Sequence, residues 1–410
     1  MNKIFYIFLI AFSIQISNAQ NNEKKVLFVI VDGISADVIE KIPTPNLDII
    51  AKEGSYTRAY VGGLKDGYSK TPTISAVGYN SLLTGTWANK HNVWGNGIVA
   101  PNYKYWTIFR FAKELHIPDL KTAIFSTWLD NRTKLVGENL PATGNLQLDY
   151  HFDGFEKDTL NFPHDKERMF IHKIDEHVVK EASAYIKKKS PDLSWVYLEY
   201  TDDMGHRFGD SEQFYNAVKI MDKQIGSLWN ALKYREKSHN ENWEIFITTD
   251  HGRNRKTGKG HGGQSDRERL TWIVTNAKTN SYFKTKEPAI VDIMPTILRS
   301  LNLKPKKEQL WEIDGVPLTG KVSIANATAN LKNNKLQVNW EVLNKKGKVK
   351  VYIATTNNFS KGKKDQYILM KNIKTRKKEV IIDVSKFKSS FYKVVLEGKY
   401  NTINTWVINK

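Results

Sequence analysis

Trp195-Val-Tyr-Leu-Glu-Tyr-Thr-Asp-Asp-Met-Gly-His206 runs from a short apolar stretch into an acidic tail closed by Gly-His. An apolar run that ends this way reads as a buried strand delivering Asp202 and His206 at its C-terminal end. In open α/β sheets ligands bind at that end. Gly205 is read as the residue that lets the backbone turn tightly between the two. A carboxylate oxygen and an imidazole nitrogen are ligand types for zinc.

Working outward, Lys25-Val-Leu-Phe-Val-Ile-Val-Asp32 and Trp243-Glu-Ile-Phe-Ile-Thr-Thr-Asp250 repeat the pattern: a continuous apolar run closed by Asp. Such runs mark central parallel strands buried on both faces. Further strands are expected at 122–126 and 270–275. Helices are expected at 44–54, 75–85, 109–115, 167–189, 214–232 and 290–301, from apolar spacing and terminal Pro, Gly and cap residues. Alternating strands and helices predict one doubly wound, mostly parallel α/β domain over residues 20–320. After Gly320 the texture becomes short alternating strands between Lys, Asn and Gly turns. That pattern predicts a small β-sandwich of immunoglobulin or fibronectin type III character over 321–410.

Composition sets further bounds. Residues 1–19 combine a Lys, an apolar run and small residues at Ser17 and Ala19, which reads as a secretory signal peptide cleaved before Gln20. Export to the periplasm or beyond follows. No stretch is long enough for a transmembrane span. The chain has no cysteine, which excludes disulfides, thiolate metal sites and a cysteine nucleophile. The net charge of +19 is concentrated at the C-terminus, where residues 321–410 hold 20 Lys/Arg against 5 Asp/Glu. That basic face allows contact with a polyanion, although no nucleic-acid-binding motif accompanies it.

Three predicted strand ends thus carry Asp32, Asp202 with His206, and Asp250 with His251. His261 lies in the flexible Gly258-Lys-Gly-His-Gly-Gly263 loop, which can fold back over the same sheet edge. Three Asp and three His suffice for two metal sites of three protein ligands each. A nucleophile is sought in Lys70-Thr-Pro-Thr-Ile-Ser-Ala-Val-Gly-Tyr-Asn-Ser-Leu-Leu-Thr-Gly85, because a hydroxyl at a helix N-terminus gains from the free amides and the dipole. Thr71, Thr73, Ser75 and Ser81 all qualify on chemistry, and periodicity does not choose among them.

These motifs, in this order, resemble the alkaline phosphatase superfamily, and within it the type I phosphodiesterase/nucleotide pyrophosphatase branch. The matching pieces are VDG at Asp32, TPNLDIIAKEG, PTIS with SLLTG, HNVWGN, DDMGH, TTDHG, GHGG, VDIMPTIL and DGVPL, covering roughly residues 25–318. The resemblance implies Ser75 as nucleophile, ten residues before Gly85. It implies two divalent metal ions, zinc by family expectation, about 4 Å apart. Asp202, His206 and His261 would bind one; Asp32, Asp250 and His251, with Ser75, would bind the other. The implied reaction is ping-pong hydrolysis of a small-molecule phosphoester through a phosphoseryl intermediate.

The resemblance also bears on the substrate. A related group of periplasmic alkaline monoesterases shares the glycine at Gly78 and contacts phosphate through an Asn that corresponds to Asn96. Those enzymes add a Lys-x-Arg clamp where this chain has Trp128 and Asp130. Bidentate cations suit the terminal oxygens of a monoester, whereas Trp128 suits the organic substituent of a diester or nucleotide pyrophosphate. The reading is therefore a phosphodiesterase, with a monoesterase as the alternative and a non-catalytic polyanion-binding protein as a third reading. A sulfatase is set aside because no C/S-x-P-x-R motif surrounds Ser75.

Overall fold

The structure, a computed structural model, describes residues 24–115 and 120–409. The leader reading for residues 1–19 lies outside them. Seven strands form the large sheet: β1 (Lys24–Val31), β2 (Ser55–Tyr60), β3 (Thr122–Ser126), β4 (Tyr150–Phe152), β5 (Leu193–Leu198), β6 (Asn242–Thr248) and β7 (Leu270–Thr275). Their order is β2-β7-β6-β1-β5-β3-β4. β1 lies between β5 and β6, parallel to both, with Phe28 opposite Trp195 on one side and Phe246 on the other. β3 and β4 continue the parallel part, while β7 and β2 add an antiparallel edge. The mostly parallel α/β class is as expected.

The apolar run of β1 is uninterrupted because both faces are covered. Val26, Phe28 and Ile30 enter one buried layer, and Leu27, Val29 and Val31 enter the other. The layer around Leu27 is closed by two long helices, Met169–Lys189 and Glu212–His239. The opposite layer is closed by the Ser75–Thr84 and Ile293–Ser300 helices. Strands β2 and β4 were not expected. Both lie at the sheet edges, and β2 alternates half-buried with exposed residues instead of running apolar.

One local expectation is overturned. The segment after β5 is not a tight turn but a helix, Tyr200–Phe208, and Gly205 lies inside it. The helix starts where it does because the Asp175 carboxylate, from the Met169–Lys189 helix, accepts the backbone N–H groups of Glu199 (3.1 Å) and Tyr200 (2.9 Å). A carboxylate at a helix N-terminus satisfies amides that have no partner within the helix.

The C-terminal strands are β8 (Ile324–Lys332), β9 (Lys335–Val342), β10 (Lys348–Ala354), β11 (Ile368–Lys374), β12 (Glu379–Asp383), β13 (Phe391–Glu397) and β14 (Thr402–Ile408). They form two sheets, β11-β10-β13-β14 and β12-β9-β8, with antiparallel pairing throughout. Leu336, Val338 and Trp340 of one sheet share a buried cluster with Val349, Val351, Val394 and Leu396 of the other. No helix among the described residues is long and apolar enough to cross a membrane.

Candidate metal centre and active site

The C-terminal ends of β1, β5 and β6 are adjacent, so the residues that follow them converge. Asp32 follows β1, and both its neighbours in the sheet contribute. Asp250 and His251 follow β6 and, with Asp32, form one buried group whose ligand atoms all lie within 4.8 Å of one another. Asp202, His206 and His261 form a second group on the same criterion. The helix following β5 places Asp202 and His206 one turn apart on one face, with Oδ2 to Nε2 at 3.1 Å. The two groups adjoin: the His251 and His261 rings stack with centroids 3.6 Å apart.

The first group has a donor set that a cation could occupy. Tyr79 and Tyr197 both donate their phenolic O–H to Asp32 Oδ2, the latter at 2.7 Å. That leaves Asp32 Oδ1 buried with no hydrogen-bond partner, and Asp250 Oδ2 is in the same condition. Each of these oxygens is 3.3 Å from His251 Nε2. His251 Nδ1 donates to the Gly252 carbonyl at 2.9 Å, which turns Nε2 toward the carboxylates. Burial and the Asp32 charge push the Asp250 carboxyl well above the usual carboxylate range. Burial favours neutral His251, yet Asp250 and Asp32 outweigh it and raise its pKa to about 9. Orphaned buried carboxylate oxygens around an imidazole nitrogen fit a divalent cation.

The second group is wetter, since His206 is half-exposed. His261 Nδ1 donates to the Thr73 carbonyl at 2.9 Å, so its Nε2 also carries the lone pair; it faces His206 Nε2 at 3.0 Å. Burial and the neighbouring His251 lower the His261 pKa to about 4. Burial opposes ionisation of Asp202, but the Arg253 guanidinium and His206 hold its carboxyl below the usual range. Arg253 was not anticipated from the sequence. It is fully buried, donating to the Gly33 and Lys259 carbonyls (2.7 and 2.9 Å) and to both the Asp202 carboxylate and its carbonyl. The only sequence signal for it was an Arg placed directly after Asp-His-Gly. Tyr79 and Tyr197 gave no signal beyond apolar spacing.

Geometry separates the four hydroxyl candidates that the sequence left open. Thr71 donates to the Ser69 carbonyl (2.8 Å) and accepts from Ala88 N–H. Thr73 bridges the Gly262 N–H and the Gly263 carbonyl. Ser81 bonds the Val77 carbonyl and His91. Ser75, the first residue of its helix, has its Oγ 3.3 Å from His251 Nε2, within the first group. Gly78, one turn on, packs where a Cβ would meet the Asp250 carbonyl oxygen at 2.7 Å, so the helix sits directly on the ligand strand end.

Asn96 is also brought to the site. Its Oδ1 accepts from Ala76 N–H at 3.0 Å, next to Ser75, which leaves Nδ2 as a donor. Trp128 is half-buried and stands edge-on to Tyr79, ring centroids 6.4 Å apart, so it abuts a phenol that holds Asp32. Asp130 is taken up by Lys134 at 2.8 Å.

The sequence model of the type I phosphodiesterase / nucleotide pyrophosphatase family matches residues 26–259, more than half of the chain. Human ectonucleotide pyrophosphatase/phosphodiesterase family member 5 is 26% identical over 239 residues, covering 57% of this chain and 46% of that protein. The bis(5'-adenosyl)-triphosphatase of Xenopus laevis is 24% identical over 233 residues, covering 56% and 47% respectively. The chain thus spans about half the length of the curated relatives it matches. Among solved structures, an inactive form of the murine family member 5 in complex with AMP shares the fold with a TM-score of 0.50 and 16% identity, covering 73% of this chain and 98% of that one. The matched residues run from β1 through the Ser75 helix to the loop after β6, and so carry five of the six clustered Asp and His residues. The chain belongs to the type I phosphodiesterase/nucleotide pyrophosphatase family, a metal-dependent family of phosphoester hydrolases.

Proposed function

We propose that this chain hydrolyses small organic phosphodiesters or nucleotide pyrophosphates, with Ser75 as the nucleophile. The observation that carries the reading is Ser75 Oγ at a helix N-terminus, 3.3 Å from His251 Nε2 and beside two three-residue ligand groups. Asp32, Asp250 and His251 would hold one divalent ion; Asp202, His206 and His261 would hold a second, zinc being the family expectation. Bound there, such ions lower the pKa of an adjacent hydroxyl and neutralise phosphoryl oxygens.

The chain's own groups do the rest. Ser75 releases its proton to solvent, and its Oγ forms a bond to phosphorus as the bond to the leaving oxygen breaks. The departing alcohol or phosphate takes up a proton. Water then attacks the phosphoseryl ester, the Oγ–phosphorus bond breaks and Ser75 is reprotonated. The helix N-terminus favours the negative charge that gathers at Ser75. Asn96, its carbonyl oxygen fixed by Ala76, presents Nδ2 to a phosphoryl oxygen. Trp128 offers an aromatic face to the organic substituent, and Asp130, where a monoesterase clamp would have a cation, is bonded to Lys134. Adenylyl compounds named for its relatives fall in the substrate class that suits this arrangement. We further propose, from the residue pattern of 1–19 alone, that the activity lies in the periplasm or outside the cell.

The test is hydrolysis of bis-p-nitrophenyl phosphate against p-nitrophenyl phosphate by the zinc-loaded protein, with Ser75→Ala alongside. Diester preference and loss of at least about a thousandfold in turnover on Ser75→Ala are expected. Monoester preference would move the assignment to the phosphatase side, and turnover insensitive to Ser75→Ala would overturn the nucleophile.

A further inference from the structure

The C-terminal sheets meet the rest of the chain at the two segments that lead into the site. Lys90, fully buried, belongs to the short Ala88–His91 helix that opens the Asn96 loop. Its ammonium donates to Asp314 Oδ1 (2.5 Å), the Glu312 carbonyl (2.8 Å) and Asn404 Oδ1 of β14 (2.9 Å). Asn404 Nδ2 donates in turn to the Ile313 carbonyl at 2.8 Å. Asp314 closes the circuit: its Oδ2 accepts Trp87 N–H, and its own N–H donates to the Gly85 carbonyl just beyond the Ser75 helix.

Two residues along β14, Trp406 lies under Lys90 Nζ at 5.3 Å and stacks on Tyr68, ring centroids 5.5 Å apart. Tyr68 stands in the segment that enters Ser75. The far end of the Asn96 loop is tied to the same sheets. Asn102 N–H donates to the His91 carbonyl at 2.8 Å and closes the loop. Asn102 Nδ2 donates to the Ser360 carbonyl at 3.0 Å, and Tyr105 packs on Phe359. Between these two anchors Asn96 Oδ1 accepts the Ala76 N–H.

We propose that the C-terminal sheets are a positioning element for the substrate loop 91–102. Asn404 and Trp406 hold its start through Lys90, and Ser360 holds its end through Asn102, which together fix Asn96 against the Ser75 helix. A buried cation shared between two parts of a chain has few alternative arrangements, because any shift leaves a charge without its partners. The inference rests on Asn96 as a phosphate contact only for its kinetic consequence; the anchoring itself is read from the bonds above.

The test is a double-mutant cycle on the full zinc-loaded protein. Asn404→Ala and Asn102→Ala are each assayed for kcat/KM on bis-p-nitrophenyl phosphate, in the wild-type and in the Asn96→Ala background. Amide exchange is followed by mass spectrometry in parallel. Each variant is expected to lose about tenfold in kcat/KM with Asn96 present, and less than about twofold once Asn96 is gone. Exchange over 91–102 should rise while that of β6 stays unchanged. Equal losses in both backgrounds would overturn positioning through Asn96, and unaltered loop exchange would overturn the anchoring. Should Asn96→Ala itself leave turnover intact, the phosphate-contact reading fails, and the exchange arm still decides the anchoring on its own.

Discussion

Substituting Gly205 by Ala is expected to destabilise the protein, against the usual sign for a helix interior. Ala in place of Gly normally stabilises a helix by about 1 kcal/mol. Gly205, however, sits under the Arg253 guanidinium: a Cβ there would meet Arg253 Cζ at 2.1 Å and Nε at 2.2 Å. Neither side can yield cheaply. Arg253 is fixed by the Gly33, Lys259 and Asp202 oxygens, and the helix is fixed by Asp175 at its start. Moving the guanidinium leaves the buried Asp202 carboxylate short of its partner, which costs about 3–5 kcal/mol. The net expectation for Gly205→Ala is a loss of about 2–4 kcal/mol. The assay is urea unfolding of the metal-free protein followed by tryptophan fluorescence, in the wild-type and in the Arg253→Ala background. In the second background the clash is absent and Gly205→Ala should stabilise by about 1 kcal/mol. A neutral or stabilising effect with Arg253 present would refute the reasoning.

Two further outcomes follow from the site and its supports. Tyr79→Phe and Tyr197→Phe each remove a phenol from Asp32 Oδ2, and should weaken zinc binding by about 10–100-fold in competition with a chromophoric chelator; unchanged affinity would remove the phenols from the metal centre. His91 should make stability pH-dependent. Its Nδ1 accepts Val93 N–H at 3.1 Å, so Nε2–H donates to Ser81, and burial lowers its pKa to about 3. Between pH 6.5 and 3 the unfolded chain binds a proton that the folded chain does not, so stability falls as pH is lowered. Over that whole window the His91 share is of the order of 5 kcal/mol. His91→Gln should therefore flatten the stability slope below pH 6 by about one proton, and an unchanged slope would show that another group sets it.

The parts of this molecule that could be read from sequence are those where chemistry and local pattern coincide. Asp32 and Asp250 each close an apolar run, and a run buried on both faces leaves its last residues at the rim of the sheet. The convergence of Asp32 and Asp250 at one sheet edge was legible for that reason. So was the C-terminal change from long helices to short alternating strands. The edge strands β2 and β4 were not, because half-exposed edges lack the apolar signature. Ser75 could not be separated from Thr71, Thr73 and Ser81 by pattern, since the difference lies in which neighbouring groups engage each hydroxyl in the folded chain.

Gly205 shows the same limit more sharply. A glycine between an acidic pair and a histidine reads as a turn, since within its own neighbourhood nothing requires the absence of a side chain. What requires it is Arg253, nearly fifty residues later, and what starts the surrounding helix is Asp175, twenty-five residues earlier than Tyr200. Both are ionisable side chains buried by their partners, and such a group is buried only where several donors or acceptors from distant segments meet it. Local propensity carries no record of such meetings. The same holds for Lys90, whose partners come from residues 312–314 and from β14. In this fold the buried side chains Arg253, Asp175 and Lys90 set where Asp202, His206 and the Asn96 loop stand, and the residues they hold are the ones the sequence made visible. Site chemistry is therefore readable from motifs while site geometry is not, because geometry here is fixed by buried polar contacts between segments far apart in the chain.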